Sequence, residues 1–238
     1  MTRSRVSRVL LGAFALAAAV DLLSLAVGSG AGHTAAKPLL MPLLATWAAL
    51  RGAPRLLVVA LLCGWGGDIL LLLDADPAFL AGMASFAVGH VCYLTLFART
   101  GRPSAHGGLL APCYATALIA TVALLWPDLP ADLRLPVAVY STLLTAMAYS
   151  ATTRLGPVAG AGGALFLLSD TLIATGVADW PQPPRPDLWI MLTYIAAQFL
   201  LVRGGTRIRG GGPPGRLPGG ERANPSHGDG DQLTALNS

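Results

Sequence analysis

The sequence predicts an all-α fold, a polytopic integral membrane protein of about eight transmembrane helices with both termini in the cytoplasm. Three observations predict it. Charged residues make up 12% of the 238-residue chain, about half the share of an ordinary globular protein. The apolar stretches are long enough to cross a hydrocarbon core of roughly 30 Å, which takes about 20 helical residues. The basic residues, finally, gather at alternate ends of those stretches, as membrane orientation requires.

The expected helices cover 9–29, 37–51, 55–74, 78–98, 108–126, 134–153, 157–178 and 187–203. Glycine and proline separate them, at Gly28 to Gly32, Gly52 to Pro54, Asp74 to Pro77, Gly101 to Pro103, Pro127 to Pro130, Gly156-Pro157 and Pro181 to Pro186. The first segment begins basic and ends in small residues near Ala31, as a cleaved signal peptide would. Its length and the intrusion of Asp21 favour a retained helix. With the N-terminus in the cytoplasm, Arg3, Arg5, Arg8, Arg51, Arg55, Arg99, Arg102, Arg154, Arg203, Arg207 and Arg209 fall on the cytoplasmic side. Lys37, Arg134 and Arg185 fall opposite, beside Asp74, Asp76, Asp128, Asp132, Asp179 and Asp187. Residues 1–203 thus form the transmembrane domain. Residues 204–238, rich in glycine, proline and polar side chains, are expected to be a disordered cytoplasmic tail in which His227 is idle.

Composition also excludes some functions. The net charge of +4 comes from arginines at helix ends rather than from a basic patch, so no nucleic-acid partner is expected. Cys63, Cys92 and Cys113 are odd in number and form no Cys-x-x-Cys pair, so neither a disulfide framework nor a zinc site is expected. They are expected to be small core hydrophobes. His33, His106 and His227 fall in loops or the tail, leaving no metal-ligand spacing.

An ionisable side chain near the bilayer centre costs about 2.5–3.5 kcal/mol, so each one calls for a reason. Asp21, Asp68, His90 and Asp170 lie inside predicted helices, and Lys37 marks the outer mouth of the second. At 1.5 Å per residue the three aspartates sit about 18–20 Å above the cytoplasmic ends of their helices, and His90 about 12 Å. Phe86, His90 and Tyr93 share one helix face, as do Tyr194 and Gln198 on another. Gly64, Gly66 and Gly67 surround Asp68, and Gly156, Gly160 and Ala164 form a small-residue stripe along which a neighbouring helix can approach closely. Each polar residue also has a structural explanation. Asp21 would bond to Ser24 or a neighbouring helix, His90 would bridge helices, and Lys37 would be an interfacial anchor.

The motifs in order are Lys37-Pro38-Leu39-Leu40, Gly67-Asp68-Ile69-Leu70, Phe86 with Gly89-His90 and Tyr93, Gly163-Ala164-Leu165-Phe166 with Ser169-Asp170, and Tyr194 with Gln198-Phe199-Leu200. This series resembles the YhhN family of eight-helix membrane proteins, which includes the mammalian lysoplasmalogenases, over roughly residues 35–203. The resemblance implies a hydrolase that cleaves the vinyl ether bond of lysoplasmalogen to a fatty aldehyde and glycerophospho-ethanolamine or -choline. It implies Asp68 and Asp170 as the catalytic pair, with Lys37, His90, Tyr93, Tyr194 and Gln198 around the substrate. Expected partners are a vinyl ether lysophospholipid and membrane lipids, with homo-oligomerisation left open. The Ala/Arg/Gly-rich composition suggests a bacterial plasma membrane.

The implied chemistry suits these residues. Vinyl ether hydrolysis begins with protonation of the outer alkene carbon, and water then captures the oxocarbenium ion. It needs one carboxylic acid, one ionised partner, and no metal or organic cofactor. A carboxyl group at its reference pKa of about 3.9 is protonated only about once in 10³ molecules at pH 7. Burial beside a like charge is the general remedy. A proton-coupled transporter or lipid carrier is the alternative, because intramembrane Asp and His also serve as proton relays.

Overall fold

The computed structural model describes residues 2–73, 75–104 and 107–207. Asp74, His106, Arg209, His227 and the rest of the expected tail from 208 onward lie outside the described residues. Within them the chain forms eight helices and no strand: α1 (Arg3–Val27), α2 (Gly30–Leu50), α3 (Arg55–Leu71), α4 (Asp76–Thr100), α5 (Gly107–Leu125), α6 (Ala131–Ser150), α7 (Pro157–Val177) and α8 (Pro186–Arg207). The polarity is that of a protein in lipid. Leu16, Leu23, Val88, Ile119 and Val139 point outward, while Asp21, Lys37, Asp68, His90 and Gln198 are buried. Helices α1, α4, α5, α7 and α8 are long and apolar enough to span a bilayer by length and composition. Helix α3 is shorter, at 17 residues, and the apolar runs of α2 and α6 are interrupted by Lys37, Pro38 and Pro42 and by Asp132, Arg134 and Pro136. The chain is a polytopic membrane protein.

Helix ends differ from expectation where glycine was taken as a stop. The break between α1 and α2 is confined to Gly28, whose φ of 78° only glycine adopts readily, and Ser29. Gly30 and Gly32 are helical, because α1 and α2 cross closely and a Cβ on Gly32 would strike Ser24. Two consequences follow. His33 lies in the second turn of α2 rather than in a loop, and Lys37 lies well inside the helix rather than at its mouth. Helix α8 likewise continues four residues past 203, since Gly204 and Gly205 let it pack on Ala159 and Leu57. Between α6 and α7 the chain makes a π-helical turn over Ala151–Leu155. Gly156 at φ 88° then feeds Pro157 at the start of α7.

Helix α3 packs along α4, α7 along α8, and α1 along α2; α8 closes the bundle against α1, α2 and α3, and α6 lies between α4 and α7. The expected stripe of Gly156, Gly160 and Ala164 is not the close-packing one. Gly156 caps α7, Gly160 meets Thr152 of the preceding turn, and Ala164 faces outward. The close contacts run instead through Gly162, against the α8 backbone at Ala197 and Leu201, and Gly163, against Ala148 of α6. Helix α5 is held least, touching α6 and α7 and burying Gly107 and Leu125. Its Cys113, expected in the core, is exposed, while Cys63 and Cys92 are half-buried.

Candidate active site

Asp68 sits near the end of α3, 2% exposed, and its surroundings explain two of the three glycines before it, Gly64 and Gly67. A Cβ on Gly64 would lie 3.1 Å from both the Tyr194 hydroxyl and Gln198 Nε2, so glycine lets these α8 side chains reach α3. Gly67 accepts the ring of Phe86 against the helix, where a Cβ would strike the ring. The Tyr194 hydroxyl donates to Asp68 Oδ2 at 2.8 Å. Gln198 Nε2 donates to the Tyr194 oxygen at 3.4 Å, and the Tyr93 hydroxyl donates to Gln198 Oε1 at 2.7 Å. Every proton in this train points toward Asp68.

Asp170 on α7 is held in the same manner from the other side. The Tyr140 hydroxyl of α6 donates to Asp170 Oδ2. His90 Nε2 lies 3.2 Å from the Tyr140 oxygen. Because that hydroxyl spends its proton on Asp170, the imidazole donates through Nε2–H. Its Nδ1 is buried without a hydrogen-bond partner among the described residues. Between the two trains stands Phe166, edge-on to His90 (centroids 4.8 Å apart) and to Tyr194 (5.5 Å). Tyr140 is the site residue that sequence reasoning missed. Its one signal is a polar face on α6, where Tyr140, Ser141 and Thr145 follow helical spacing.

The two carboxyls open into one cavity of about 200 Å³, walled mainly by apolar side chains such as Phe79, Met83, Leu118 and Val137. Lys37, Asp68, Asp170, Tyr140 and Tyr194 supply its polar end. Of the residues singled out from sequence, His90, Tyr93 and Gln198 stand behind this wall and reach the cavity only through the tyrosines. Toward the end of the bundle where α3 and α7 finish, the cavity shares Leu71, Phe79 and Val177 with a second hollow of about 420 Å³. Lys37, 8% exposed, has no hydrogen-bond or ion-pair partner among the described residues. Asp21 does not belong to this cavity. Of its two expected partners, Ser24 or a neighbouring helix, it takes the second, bonding through Oδ1 to His33 Nδ1 of α2 at 2.8 Å. Among the described residues, no three His, Cys, Asp or Glu side chains converge as a metal site would require.

Known proteins bear on this arrangement. Over 151 residues the chain is 38% identical to the human protein named lysoplasmalogenase TMEM86B, covering 63% of each chain. It is 35% identical over 176 residues to the rat lysoplasmalogenase TMEM86B, covering 73% of this chain and 72% of that one. It is 34% identical over 161 residues to a lysoplasmalogenase of Mycobacterium bovis, covering 63% of this chain and 60% of that one. The chain therefore spans less than two thirds of the length of the human and mycobacterial relatives. No solved structure matches it. The YhhN family pattern matches residues 32–205, which takes in all of α3 to α7, nearly all of α2 and α8, and every residue around the cavity, so the chain belongs to the YhhN family.

Proposed function

We propose that this protein is a membrane-embedded hydrolase that cleaves the vinyl ether bond of lysoplasmalogen by acid/base catalysis with Asp68 and Asp170. The observation that carries the reading is the cavity itself. Two carboxyls from separate helices, each gripped by a tyrosine through Oδ2, face one apolar-walled space in the membrane domain. The names of the relatives support the substrate class.

The alkenyl chain lies along Phe79, Met83, Leu118 and Val137, which brings the vinyl ether to the polar end. One carboxylic acid protonates the outer alkene carbon. The positive charge that develops on the ether carbon and oxygen is stabilised by the other carboxyl in its ionised form, which then takes a proton from the attacking water. The hemiacetal collapses to a fatty aldehyde and glycerophospho-ethanolamine or -choline. A site dry enough to exclude bulk water strengthens each of these electrostatic effects. Tyr194 and Tyr140 keep the carboxyls aimed, while Gln198, Tyr93 and His90 hold the tyrosines. Lys37 is the cation that the substrate meets at the polar end.

The test is incubation of detergent-purified protein with lysoplasmalogen and, separately, an ester lysolipid, following aldehyde and fatty acid. Aldehyde from the former alone supports the hydrolase. Inactivity on every vinyl ether, together with proton-dependent flux in vesicles, would establish the transporter or carrier instead. The same reading places both termini in the cytoplasm of a bacterial plasma membrane. Reporter fusions after Ser104 and Ser238 should then read as cytoplasmic and one after Asp128 as external.

A further inference from the structure

The cavity has a side as well as an end. Among the residues that line it, Ala117 on α5 and Leu168 on α7 also reach the outer surface, Leu168 with 47% of its area exposed. Leu118 and Thr121 of α5 line it too, as do Asp170 and Thr171 of α7, and all four are only half-buried. One wall of the site is therefore open between α5 and α7, on the face of the bundle that meets lipid.

That opening follows from how α5 is held. Near its start the Tyr114 hydroxyl lies 2.7 Å from that of Thr152, and the Tyr149 hydroxyl donates to the Gly107 carbonyl at 3.2 Å. At its end Leu125 is buried with Leu129, Val137 and Ala178. Between these two fixings, residues 115–124 include no buried residue, and the helix packs on α6 while touching α7 far less. From Tyr114 onward its less exposed residues are Tyr114, Leu118, Thr121, Val122 and Leu125, which share one helix face, so that face is turned toward the bundle. Only Leu125 among them is buried. A face turned inward and still half-exposed has a void beneath it. Both lips of the slot are α-helical, so their backbone polar groups are satisfied within each helix and the slot presents side chains to what enters.

The bilayer selects the occupant. A lipid tail drawn out into water loses free energy with every methylene exposed. A tail that moves sideways from lipid into an apolar slot exchanges one apolar neighbour for another. The second hollow, at the end of the bundle, is bordered by Asp76 and by Pro130 before α6, and a carboxylate in its wall suits a polar group rather than hydrocarbon.

We propose that the slot between α5 and α7, lipped by Leu118 and Thr121 on one side and Leu168 and Thr171 on the other, is the portal through which the hydrocarbon tail of a single-chain lipid enters from the bilayer. The tail stays seated there while the polar part of the molecule reaches Asp68 and Asp170. It runs past Leu118 and out at Leu168, and its far end never leaves the membrane. Leu118 and Leu168 thereby determine which tails pass. The identity of the lipid rests on the hydrolase reading above.

Photolabelling tests the portal without requiring turnover. The probe is an ester-linked lysophospholipid with a diazirine midway along its single chain, irradiated with the full-length protein in phosphatidylcholine vesicles. Peptide mapping by mass spectrometry should find the label concentrated on Leu118, Thr121, Leu168 and Thr171. Excess unlabelled lysophospholipid should suppress it there but not on Leu16 and Leu23, which face lipid on α1. Label at the four portal residues no denser than at Leu16 and Leu23 overturns the portal. Label confined to Leu71, Leu73 and Pro130 sends the chain through the second hollow and overturns it as well. A second measurement uses bulk. Leu168→Trp on the lipid face should lower kcat/KM about 10-fold on a long-chain lysoplasmalogen, as overpacking of the slot requires, and far less on a short-chain one that fits within the cavity. Ile119→Trp, on the outer face of α5 and 66% exposed, should change neither. Equal losses on both chain lengths, or none on either, overturn the portal. Protein that labels at the portal but releases no aldehyde from lysoplasmalogen would instead sink the hydrolase reading and leave the portal standing.

Discussion

Asp21 and Asp68 are both buried in apolar helices, at 0% and 2% exposure, yet the bundle treats them differently. Asp21 meets His33 across the crossing of α1 and α2, where Gly32 is pressed on Ser24, and its Oδ2 is buried with no hydrogen-bond partner among the described residues. Asp68 opens into a cavity, is braced by a three-bond train from two other helices, and faces a lysine and a second carboxyl. Burial of a carboxyl in an apolar helix is therefore not by itself a sign of an open site. What separates the two is access to an empty volume and the presence of a second titratable group across it.

The predictions bear on that contrast. The largest effect is expected at the cavity pair. Asp68→Asn and Asp170→Asn should each lower aldehyde release by about 10²–10⁴-fold while the protein still inserts and purifies folded. The double variant should lose little more than the worse single one, since groups serving one transition state are non-additive. Folded single variants with near-normal turnover would dissolve the distinction from Asp21. Next come the tyrosines. Tyr140→Phe and Tyr194→Phe each remove a hydrogen bond to a carboxyl, worth about 1.5–3 kcal/mol when that group is charged, so turnover should fall about 10- to 100-fold with KM little changed. An effect confined to KM would make them substrate contacts instead.

Smaller still is the consequence at the other cluster. Asp21→Asn keeps a hydrogen-bonding side chain against His33, so turnover should stay within about twofold and thermal stability should change by about 1 kcal/mol or less. A loss comparable to that of Asp68→Asn would show that the α1–α2 pair belongs to the reaction. Chelation should do least of all. The acid/base route uses no metal, so activity should survive exhaustive EDTA treatment. Loss restored by one particular ion would replace that route.

Much of this could be read along the chain, for a specific reason. A carboxyl in an apolar run stands out against a composition that lipid imposes, so Asp68 and Asp170 were visible, as were the eight helices and the faces shared by Phe86, His90 and Tyr93 and by Tyr194 and Gln198. Tyr140 was not visible, because a tyrosine in a membrane helix is ordinary at any depth and nothing in α6 says that its hydroxyl meets Asp170. The α1–α2 junction was misjudged because glycine serves both as a breaker and as a contact surface. Local sequence does not distinguish Gly28, at φ 78°, from Gly32, which is helical and pressed on Ser24. That error carried Lys37 to the helix mouth and His33 into a loop.

Hydropathy and charge placement are properties of single segments, and they were enough to establish a helical membrane bundle and to name the carboxyls it buries. Which of those carboxyls share a cavity depends on helix crossings more than 100 residues apart in sequence, as between Asp68 and Tyr194, which are 126 residues apart. The crossings are set by where two backbones approach, at Gly162 and Gly163, by where side chains of neighbouring helices reach the α3 backbone, at Gly64 and Gly67, and by where Phe86 and Phe166 fill the space between them. Hydrogen bonds between such helices are short-range and directional, so pairing Tyr194 with Asp68, Tyr140 with Asp170 and His33 with Asp21 had to await the packed bundle.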